Sequence, residues 1–166
     1  MCGIAGAISF IEDMRDDMKT YENMQKSMIR RGPDQRGMVI SREAALIHTR
    51  LAVIDIEGGR QPMSFGDYTI VYNGELYNTD DIRRELESDF GFTTHSDTEV
   101  VLKAFIRWGE DCVEKLNGIF AFVIYDNAHR RAFIARDRIG VKPLFYFQNE
   151  SKLIFASELP TLMEHH

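Results

Sequence analysis

Cys2 is the residue whose position suggests chemistry most directly, because removal of Met1 would make it the N-terminus. The small Cys side chain favours that removal, and one residue then holds both a thiol and a free α-amine. Their reference pKa values are about 8.5 for the thiol and about 7.7–8.0 for the amine. A fraction of the amine is uncharged at neutral pH and can take the thiol proton and return it to a leaving group. By itself a cysteine at position 2 is usually incidental.

Six further motifs accompany this start, and the set is far more specific than any one of them. In chain order the seven are Met1–Gly6, Arg31–Asp34, His48–Asp55, Tyr72–Asn78, Ser96–Val100, Arg136–Leu144 and Phe155–Glu158. Together they resemble the class II glutamine amidotransferase family, within the N-terminal nucleophile hydrolases. The glutaminase domain of glutamine-hydrolysing asparagine synthetase is the most similar branch, and the resemblance covers essentially the whole chain, residues 1–166.

The resemblance assigns the covalent chemistry to three positions. Cys2 matches the nucleophile, which attacks the glutamine carboxamide and forms a glutamyl thioester. Asn73 and Gly74 match the oxyanion hole, where a side-chain amide and a backbone N–H face the developing negative charge. Without the other motifs, Asn73-Gly74 would instead indicate a tight turn that closes a hairpin.

Substrate binding is assigned to five more positions by the same resemblance. Arg50 matches the residue that holds the substrate α-carboxylate, for which a planar guanidinium is suited. Asp97 matches the partner of the α-ammonium, with Glu75 nearby in the same role, and the backbone of Val53 and Ile54 lines the glutamine pocket. The structural alternatives are a solvated arginine at position 50 and a carboxylate that suits the helix dipole at position 97.

Other polar residues of the motifs are expected to be structural. His48 is interpreted as a hydrogen-bonding residue rather than the base, Cys112 as an inert, half-buried thiol, and Arg136-Asp137 as a structural pair. One departure is visible, since the family usually has His where this chain has Arg30, and this affects the expectation for local loop contacts.

The overall composition is that of an ordinary soluble globular protein rather than a disordered chain. The 166 residues are 44% hydrophobic and 28% charged, and the formal net charge of -6 argues against binding of nucleic acids or anionic membranes. Two cysteines indicate a reducing, cytoplasmic setting. The apolar run Ile4–Ile11 lacks the basic start and the cleavage site of a signal peptide, and no apolar run approaches the ~20 residues of a membrane span.

Periodicity predicts three helices and about eight strands. The first helix carries its apolar face at Met14, Met18, Tyr21, Met24, Met28 and Ile29; the others cover Thr79–Ser88 and Ser96–Trp108, the last with a capping box from Ser96 to Glu99. Predicted strands are Gly3–Phe10, Gly37–Ser41, Ala44–His48, Tyr68–Tyr72, Ile119–Tyr125, Ala132–Ala135, Leu144–Phe147 and Leu153–Ala156. Their mostly non-alternating apolar content predicts strands covered on both faces. The expected fold is α+β, a four-layer αββα sandwich of two stacked antiparallel sheets flanked by helices.

The resemblance also implies a downstream synthetase domain that binds ATP and Mg²⁺ and receives the ammonia. No Ser-Gly-Gly-x-Asp-Ser loop occurs here, so we expect that domain to be absent from this chain, and we expect the chain to hydrolyse glutamine without forming asparagine. No cofactor or metal is expected for the glutaminase step. His165-His166 are either native or the remnant of a tag, and a homodimer is an open alternative.

Two other functions remain to be weighed. The same glutaminase could serve another adenylated carboxylate, although Lys142–Tyr146 and Phe155–Glu158 favour the asparagine branch. A non-catalytic glutamine-binding module is the second alternative. A module of that kind would be expected to have lost Cys2, Asn73 or Arg50, and all three are present.

Overall fold

Two stacked antiparallel sheets form the centre of the fold. A computed structural model describes residues 1–53 and 55–165. In these residues, strands β1 to β9 span Gly3–Ser9, Gln35–Ile40, Ala44–Arg50, Met63–Phe65, Tyr68–Leu76, Gly118–Asp126, Arg131–Arg136, Phe145–Gln148 and Lys152–Ala156. One sheet has the order β2-β3-β1-β9-β8 and the other has the order β4-β5-β6-β7, and all the pairings are antiparallel.

Helices cover the outer face of each sheet. Helices α1 to α5 span Met18–Ser27, Thr79–Leu86, Asp97–Trp108, Cys112–Lys115 and Leu159–Met163. Helix α1 packs on the first sheet beside α5, whereas α2 and α3 pack on the second. The predicted four-layer αββα sandwich is therefore confirmed. In the described part of the chain no helix is both long and apolar enough to span a membrane.

The two sheets share an inner core, which explains the apolar strands seen in the sequence. Ile4 and Leu46 of the first sheet meet Val71 and Val123 of the second. On the opposite face of β1, the small side chain of Ala5 leaves room for the helix layer. All residues of β1 and β3 are buried, as expected for strands covered on both sides. The edge strand β8 differs, because all four of its residues are exposed.

The N-terminal helix differs from its prediction at Met18. A 3-10 turn, Met14–Asp17, precedes α1, and Asp13 caps it by accepting a hydrogen bond from Arg15 N. A 3-10 turn has 3.0 residues per turn instead of 3.6, so the apolar face is not continuous across the junction. Met18 is therefore 47% exposed, whereas Met14, Tyr21, Met24 and Met28 are buried as predicted.

Helix α3 begins with half of the predicted capping box. Ser96 Oγ accepts from Glu99 N at 3.3 Å, but the Glu99 carboxylate accepts from Thr93 N and Thr94 N, at 3.0 and 2.7 Å, instead of reaching Ser96 N. Burial alone would raise the pKa of Glu99, but the Lys103 ammonium and these donors outweigh it and lower the pKa to about 2. Glu99 thus fastens the preceding segment to the helix whose first residue is Asp97.

We expect Lys103→Met to lower the free energy of unfolding by about 3–5 kcal/mol, because it leaves the buried Glu99 carboxylate without its cation. The two side chains are 1% and 5% exposed. Arg107→Met is the matched control, since the Arg107–Asp89 pair is exposed and is expected to contribute less than about 1 kcal/mol. The double variant Lys103→Met, Glu99→Gln should recover part of the loss in urea denaturation. Equal losses in Lys103→Met and Arg107→Met would contradict this account.

Candidate active site

Cys2 lies immediately before β1, at the edge of a small cavity. Its Sγ is 3.7 Å from the carbonyl oxygen of Leu51, and Met1 beside it is 56% exposed. Burial raises the pKa of the Cys2 thiol above its usual value, and nearby Asp97 acts in the same direction while Arg50 opposes it. The thiol is therefore protonated at neutral pH, and a base is needed before it can attack.

The backbone around Cys2 is held by two of the sequence motifs. Arg31 Nε donates to the carbonyl oxygen of Cys2 at 2.9 Å, and its Nη1 lies 3.3 Å from a carboxylate oxygen of Glu158. Ser157 makes two hydrogen bonds to the backbone of Ile4, the second residue of β1: its Oγ accepts from Ile4 N, and its own N–H donates to Ile4 O. The Arg31–Asp34 and Phe155–Glu158 motifs thus fix the position of the thiol.

The cavity in front of Cys2 gathers the residues that the sequence had singled out. Its volume is about 230 Å³, which is small compared with the roughly 300–1,000 Å³ of pockets for drug-sized ligands and suits a ligand such as one amino acid. The predicted site residues that line it are Cys2, Arg50, Val53, Asn73, Gly74, Glu75 and Asp97. The predicted position Ile54 lies outside the described residues.

Arg50 ends β3 with its guanidinium buried, so the alternative of a solvated surface cation is wrong. The residue is 5% exposed, and Nη1 donates to Gln35 Oε1 at 2.7 Å and to Ile56 O at 2.8 Å, while Nη2 donates to Asp55 O at 2.7 Å. A Cβ on Gly59 would lie 2.3 Å from Nη2. Glycine at position 59 therefore lets the loop close around the cation.

Asn73 and Gly74 lie within β5, opposite Ala121 and Phe120, so the alternative of a hairpin turn is wrong. Asn73 is 1% exposed, and its buried Nδ2 has no hydrogen-bond partner among the described residues. A buried amide without a partner is costly and uncommon, which points to a donor reserved for a ligand. A Cβ on Gly74 would meet the Tyr72 ring at 2.6 Å, which explains the glycine.

Asp97 occupies the first turn of α3 and is 9% exposed. Its Oδ2 accepts from Tyr72 Oη at 2.9 Å and from Leu76 N at 3.2 Å. Burial raises the pKa of Asp97, against the lowering effect of these donors. A cationic group in the cavity would relieve that penalty. Glu75 and Val53 also line the cavity, but both are exposed and lie at its rim.

His48 has the hydrogen bond that a structural role requires. Its Nε2 is 3.1 Å from the carbonyl oxygen of Tyr72, and the ring is 1% exposed. Burial lowers the pKa of His48 to about 4, so the ring is neutral at pH 7 and Nε2–H donates to the carbonyl. This hydrogen bond joins β3 of the first sheet to β5 of the second sheet, next to Asn73.

Among the lining residues that the sequence reasoning did not assign to the site, Gln61 and Tyr72 organise its centre. Gln61 Oε1 accepts from Tyr72 N at 2.6 Å, and its Nε2 donates to Tyr72 O and to Thr98 Oγ1, both at 3.1 Å. Gln61 thereby joins β5 to α3, and Tyr72 orients Asp97 through its hydroxyl. Tyr72 lay inside a recognised motif, whereas an isolated glutamine in a loop gave no signal.

The remaining predictions concern residues outside the centre of the cavity. Cys112 is completely buried instead of half-buried, and burial raises the pKa of its thiol to about 12, which agrees with an inert group. Asp137 is structural, because its carboxylate accepts from the backbone N–H groups of Phe120, Val141 and Lys142. Arg30 is exposed.

The whole chain, residues 1–166, matches the model of the glutamine amidotransferase domain family, and the chain belongs to that family. It is 47% identical over 170 residues to asparagine synthetase [glutamine-hydrolyzing] 3 of Bacillus subtilis (strain 168), covering 99% of this chain and 28% of that protein. It is 34% identical over 166 residues to asparagine synthetase B of Escherichia coli (strain K12), covering 98% and 30%. The chain thus spans under a third of the length of these two relatives.

The fold is shared with a solved amidotransferase. Glutamine phosphoribosylpyrophosphate amidotransferase from B. subtilis, complexed with ADP and GMP, superposes with a TM-score of 0.78 at 22% identity, covering 98% of this chain and 43% of that one. The similarity covers the fold and agrees with the αββα sandwich expected from the sequence.

Proposed function

We propose that this chain hydrolyses L-glutamine to L-glutamate and ammonia through a glutamyl thioester on Cys2. One observation supports this most strongly: a thiol, a buried amide donor without a partner in the described residues, a buried cation and a buried carboxylate face one small cavity. Membership of the glutamine amidotransferase domain family agrees with it.

The proposed first half-reaction needs Met1 to be removed, because the chain described here still carries it. The freed amine of Cys2 takes the thiol proton, and the thiolate attacks the side-chain carbonyl carbon of glutamine. Asn73 Nδ2–H and Gly74 N–H donate to the resulting oxyanion. The ammonium of Cys2 then returns the proton to the leaving nitrogen, so that ammonia departs and the thioester remains.

The second half-reaction uses the same groups with water in place of the thiol. The neutral amine takes a proton from water as the water attacks the thioester carbonyl, and the oxyanion meets the same two donors. Collapse of the tetrahedral intermediate breaks the C–S bond, and the proton returns to the sulfur. The new carboxylic acid releases its remaining proton to solvent, so that the site then holds glutamate and a thiol. No cofactor or metal is proposed for either half-reaction.

Substrate selection follows from opposite charges at the two sides of the cavity. We assign the α-carboxylate of glutamine to Arg50 and its α-ammonium to Asp97, with Glu75 assisting from the rim. By the resemblance, the backbone of Val53 and Ile54 is proposed to line the glutamine pocket. A free amino acid satisfies both charges, whereas a peptide or a simple amide leaves a buried charge unmatched, which is costly.

We expect Asp97→Asn to raise the dissociation constant for glutamine at neutral pH by about 30-fold or more, from the loss of about 2 kcal/mol or more when one member of a buried charge pair is removed. Because burial raises the pKa of Asp97, binding to Asp97 should weaken with falling pH sooner than for an ordinary aspartate, as the carboxyl becomes neutral. Asp97→Asn should lack this dependence.

Titration calorimetry in a Cys2→Ala background measures this effect without hydrolysis. Glu75→Gln is the control, because an exposed carboxylate at the rim is expected to change affinity less than about fivefold. A pH-independent affinity with Asp97 present, or equal effects of the two substitutions, would contradict the assignment.

The function is tested by incubating the chain with glutamine and measuring glutamate and ammonia, which should appear in equal amounts. Asparagine, with a side chain one methylene shorter, should be a poor substrate. Its carboxamide does not reach Cys2 when Arg50 and Asp97 hold its α-carboxylate and α-ammonium. Binding of glutamine without release of glutamate would contradict the proposal and favour a non-catalytic glutamine-binding module.

We further propose that, in a full-length protein, the ammonia serves a synthetase domain that forms asparagine from aspartate with ATP and Mg²⁺. The names of the relatives support this acceptor, and another adenylated carboxylate is the alternative. The test uses the full-length gene product with glutamine, ATP and Mg²⁺: asparagine should form only with aspartate, and amination of a different carboxylate would overturn the choice. A cytoplasmic location and a homodimer remain predictions.

A further inference from the structure

The side chain of Asp55 ties the loop after β3 to the segment that precedes α3. Its Oδ2 accepts from His95 N at 2.7 Å, and its Oδ1 accepts from Gly58 N at 2.9 Å. His95 is two residues before Asp97, which begins α3. The Asp55 carboxylate therefore ties the loop to the backbone that carries the proposed ammonium-binding residue.

The backbone of the same residue holds the opposite side of the cavity. Asp55 O accepts from Arg50 Nη2 at 2.7 Å and from Gly59 N at 2.9 Å. Asp55 is thus hydrogen-bonded through its carbonyl to Arg50, the proposed partner of the substrate α-carboxylate. Through its side chain it is hydrogen-bonded to the segment before Asp97.

The local sequence is adapted to this arrangement. Asp55 has a φ of 47°, a conformation that few residues other than Gly, Asn and Asp adopt readily. A Cβ on Gly58 would lie 2.4 Å from Asp55 Oδ2. The hydrogen bonds from the backbone N–H groups of His95, which has the larger effect, and Gly58 lower the pKa of Asp55. The carboxylate therefore stays charged through the neutral range.

Hydrogen bonds, including that from Gln35 Nε2 to Ile56 O, hold this loop in place more than apolar contacts do. Val53 is 78% exposed and Ile56 is 64% exposed, so neither contributes much burial. A segment with few buried apolar contacts opens at low cost unless specific hydrogen bonds restrain it. The Asp55 carboxylate supplies one of these restraints, the one toward the segment before α3.

We propose that Asp55 is a positioning residue that sets the separation between Arg50 and Asp97, and that it thereby makes the site select a substrate bearing both an α-carboxylate and an α-ammonium. The inference rests on the proposed function, because it uses the assignment of Arg50 and Asp97 to the two charged groups on the α-carbon of glutamine. Asp55 itself touches no substrate in this scheme, and it acts through the backbone on either side of the cavity.

The test compares two ligands in a Cys2→Ala background, in which binding is measured without hydrolysis. L-Glutamine carries both an α-carboxylate and an α-ammonium, whereas L-glutaminamide lacks the α-carboxylate and engages only the Asp97 side. Asp55→Gly removes the carboxylate at a position whose positive φ glycine adopts without strain. We expect its dissociation constant for glutamine to rise about tenfold or more, as for loss of hydrogen bonds to a charged group, and that for glutaminamide to change less than about threefold.

Two further variants separate positioning from general damage. Asp55→Asn keeps the shape and one acceptor oxygen, so it should give an intermediate shift for glutamine even if Asp55→Gly is poorly folded. Asp126→Asn alters a comparable turn carboxylate, which accepts from Ala128 N and His129 N, and should leave both affinities unchanged.

The inference would be overturned by an unchanged affinity for glutamine in Asp55→Gly and Asp55→Asn, or by equal weakening for both ligands. Those outcomes are distinct from failure of the proposed function. Glutamine that binds the Cys2→Ala chain but yields no glutamate with the unsubstituted chain would remove the hydrolysis and leave the comparison of ligands intact.

Discussion

A chain whose Cys2 amine is held in a peptide bond is expected to hydrolyse glutamine with a kcat about 10²–10⁴-fold lower than the chain that begins at Cys2, the range typical of a lost general base. Burial raises the pKa of the thiol, so little thiolate forms unaided. Other candidate bases are unsuitable, because His48 already donates to the Tyr72 carbonyl and Asp97 accepts from Tyr72 Oη.

The experiment uses one polypeptide in two forms. A short extension that replaces Met1 and ends in a protease recognition sequence immediately before Cys2 blocks the amine, and cleavage releases it. Activity should appear on cleavage, and mass spectrometry confirms the new N-terminus. Chemical acetylation of the cleaved chain at a pH that favours the α-amine over lysine should remove the activity again. Equal kcat before and after cleavage would show that another group serves as base.

Asn73→Ala is expected to lower kcat about 10²–10³-fold with little change in KM, because one oxyanion donor is lost and the donor acts mainly in the transition state. The buried Nδ2 has no partner among the described residues, so the substitution removes no hydrogen bond of that group within the described fold. Steady-state kinetics on the chain that begins at Cys2 gives both parameters, and a thermal melt checks that the variant is folded.

Asn127→Ala is the matched control for Asn73→Ala. It deletes an asparagine amide that donates to Asp67 O at 3.0 Å in an exposed turn remote from the cavity, so kcat and KM should not change. A rise in KM at constant kcat for Asn73→Ala would mean that the amide binds the ground state, and the oxyanion role would then be wrong.

Much of the architecture could be predicted from the sequence because burial on both faces leaves a pattern. Continuous apolar strands such as β6 and the apolar spacing of α1 indicated covered sheets and an amphipathic helix, and both are present. Three short elements were missed: β4, α4 and α5 have three, four and five residues. Elements of that length carry too little periodicity to detect and depend on tertiary packing.

The order of the motifs predicted the site residues better than the local sequence around each residue did. Taken by themselves, Asn73-Gly74 indicated a turn and Arg50 indicated a surface residue. The strand β6 that pairs with β5 is distant in the sequence, and the loop that folds around the guanidinium, although close in sequence, has no periodic pattern. Asp55 lay inside a recognised motif, but its partner His95 is 40 positions away. Such contacts arise only when two loops meet, and one sequence does not report which backbone N–H groups will face a carboxylate.

The central claim is that Cys2, as the first residue of the mature chain, bonds covalently to the substrate. The most direct measurement is the intact mass and peptide map of the chain after reaction with a glutamine analogue that carries a diazoketone in place of the carboxamide. One adduct is predicted, on an N-terminal Cys2 of chains that have lost Met1, with none on the buried Cys112. An unmodified Cys2 in such chains, or equal labelling of chains that retain Met1, would contradict the account.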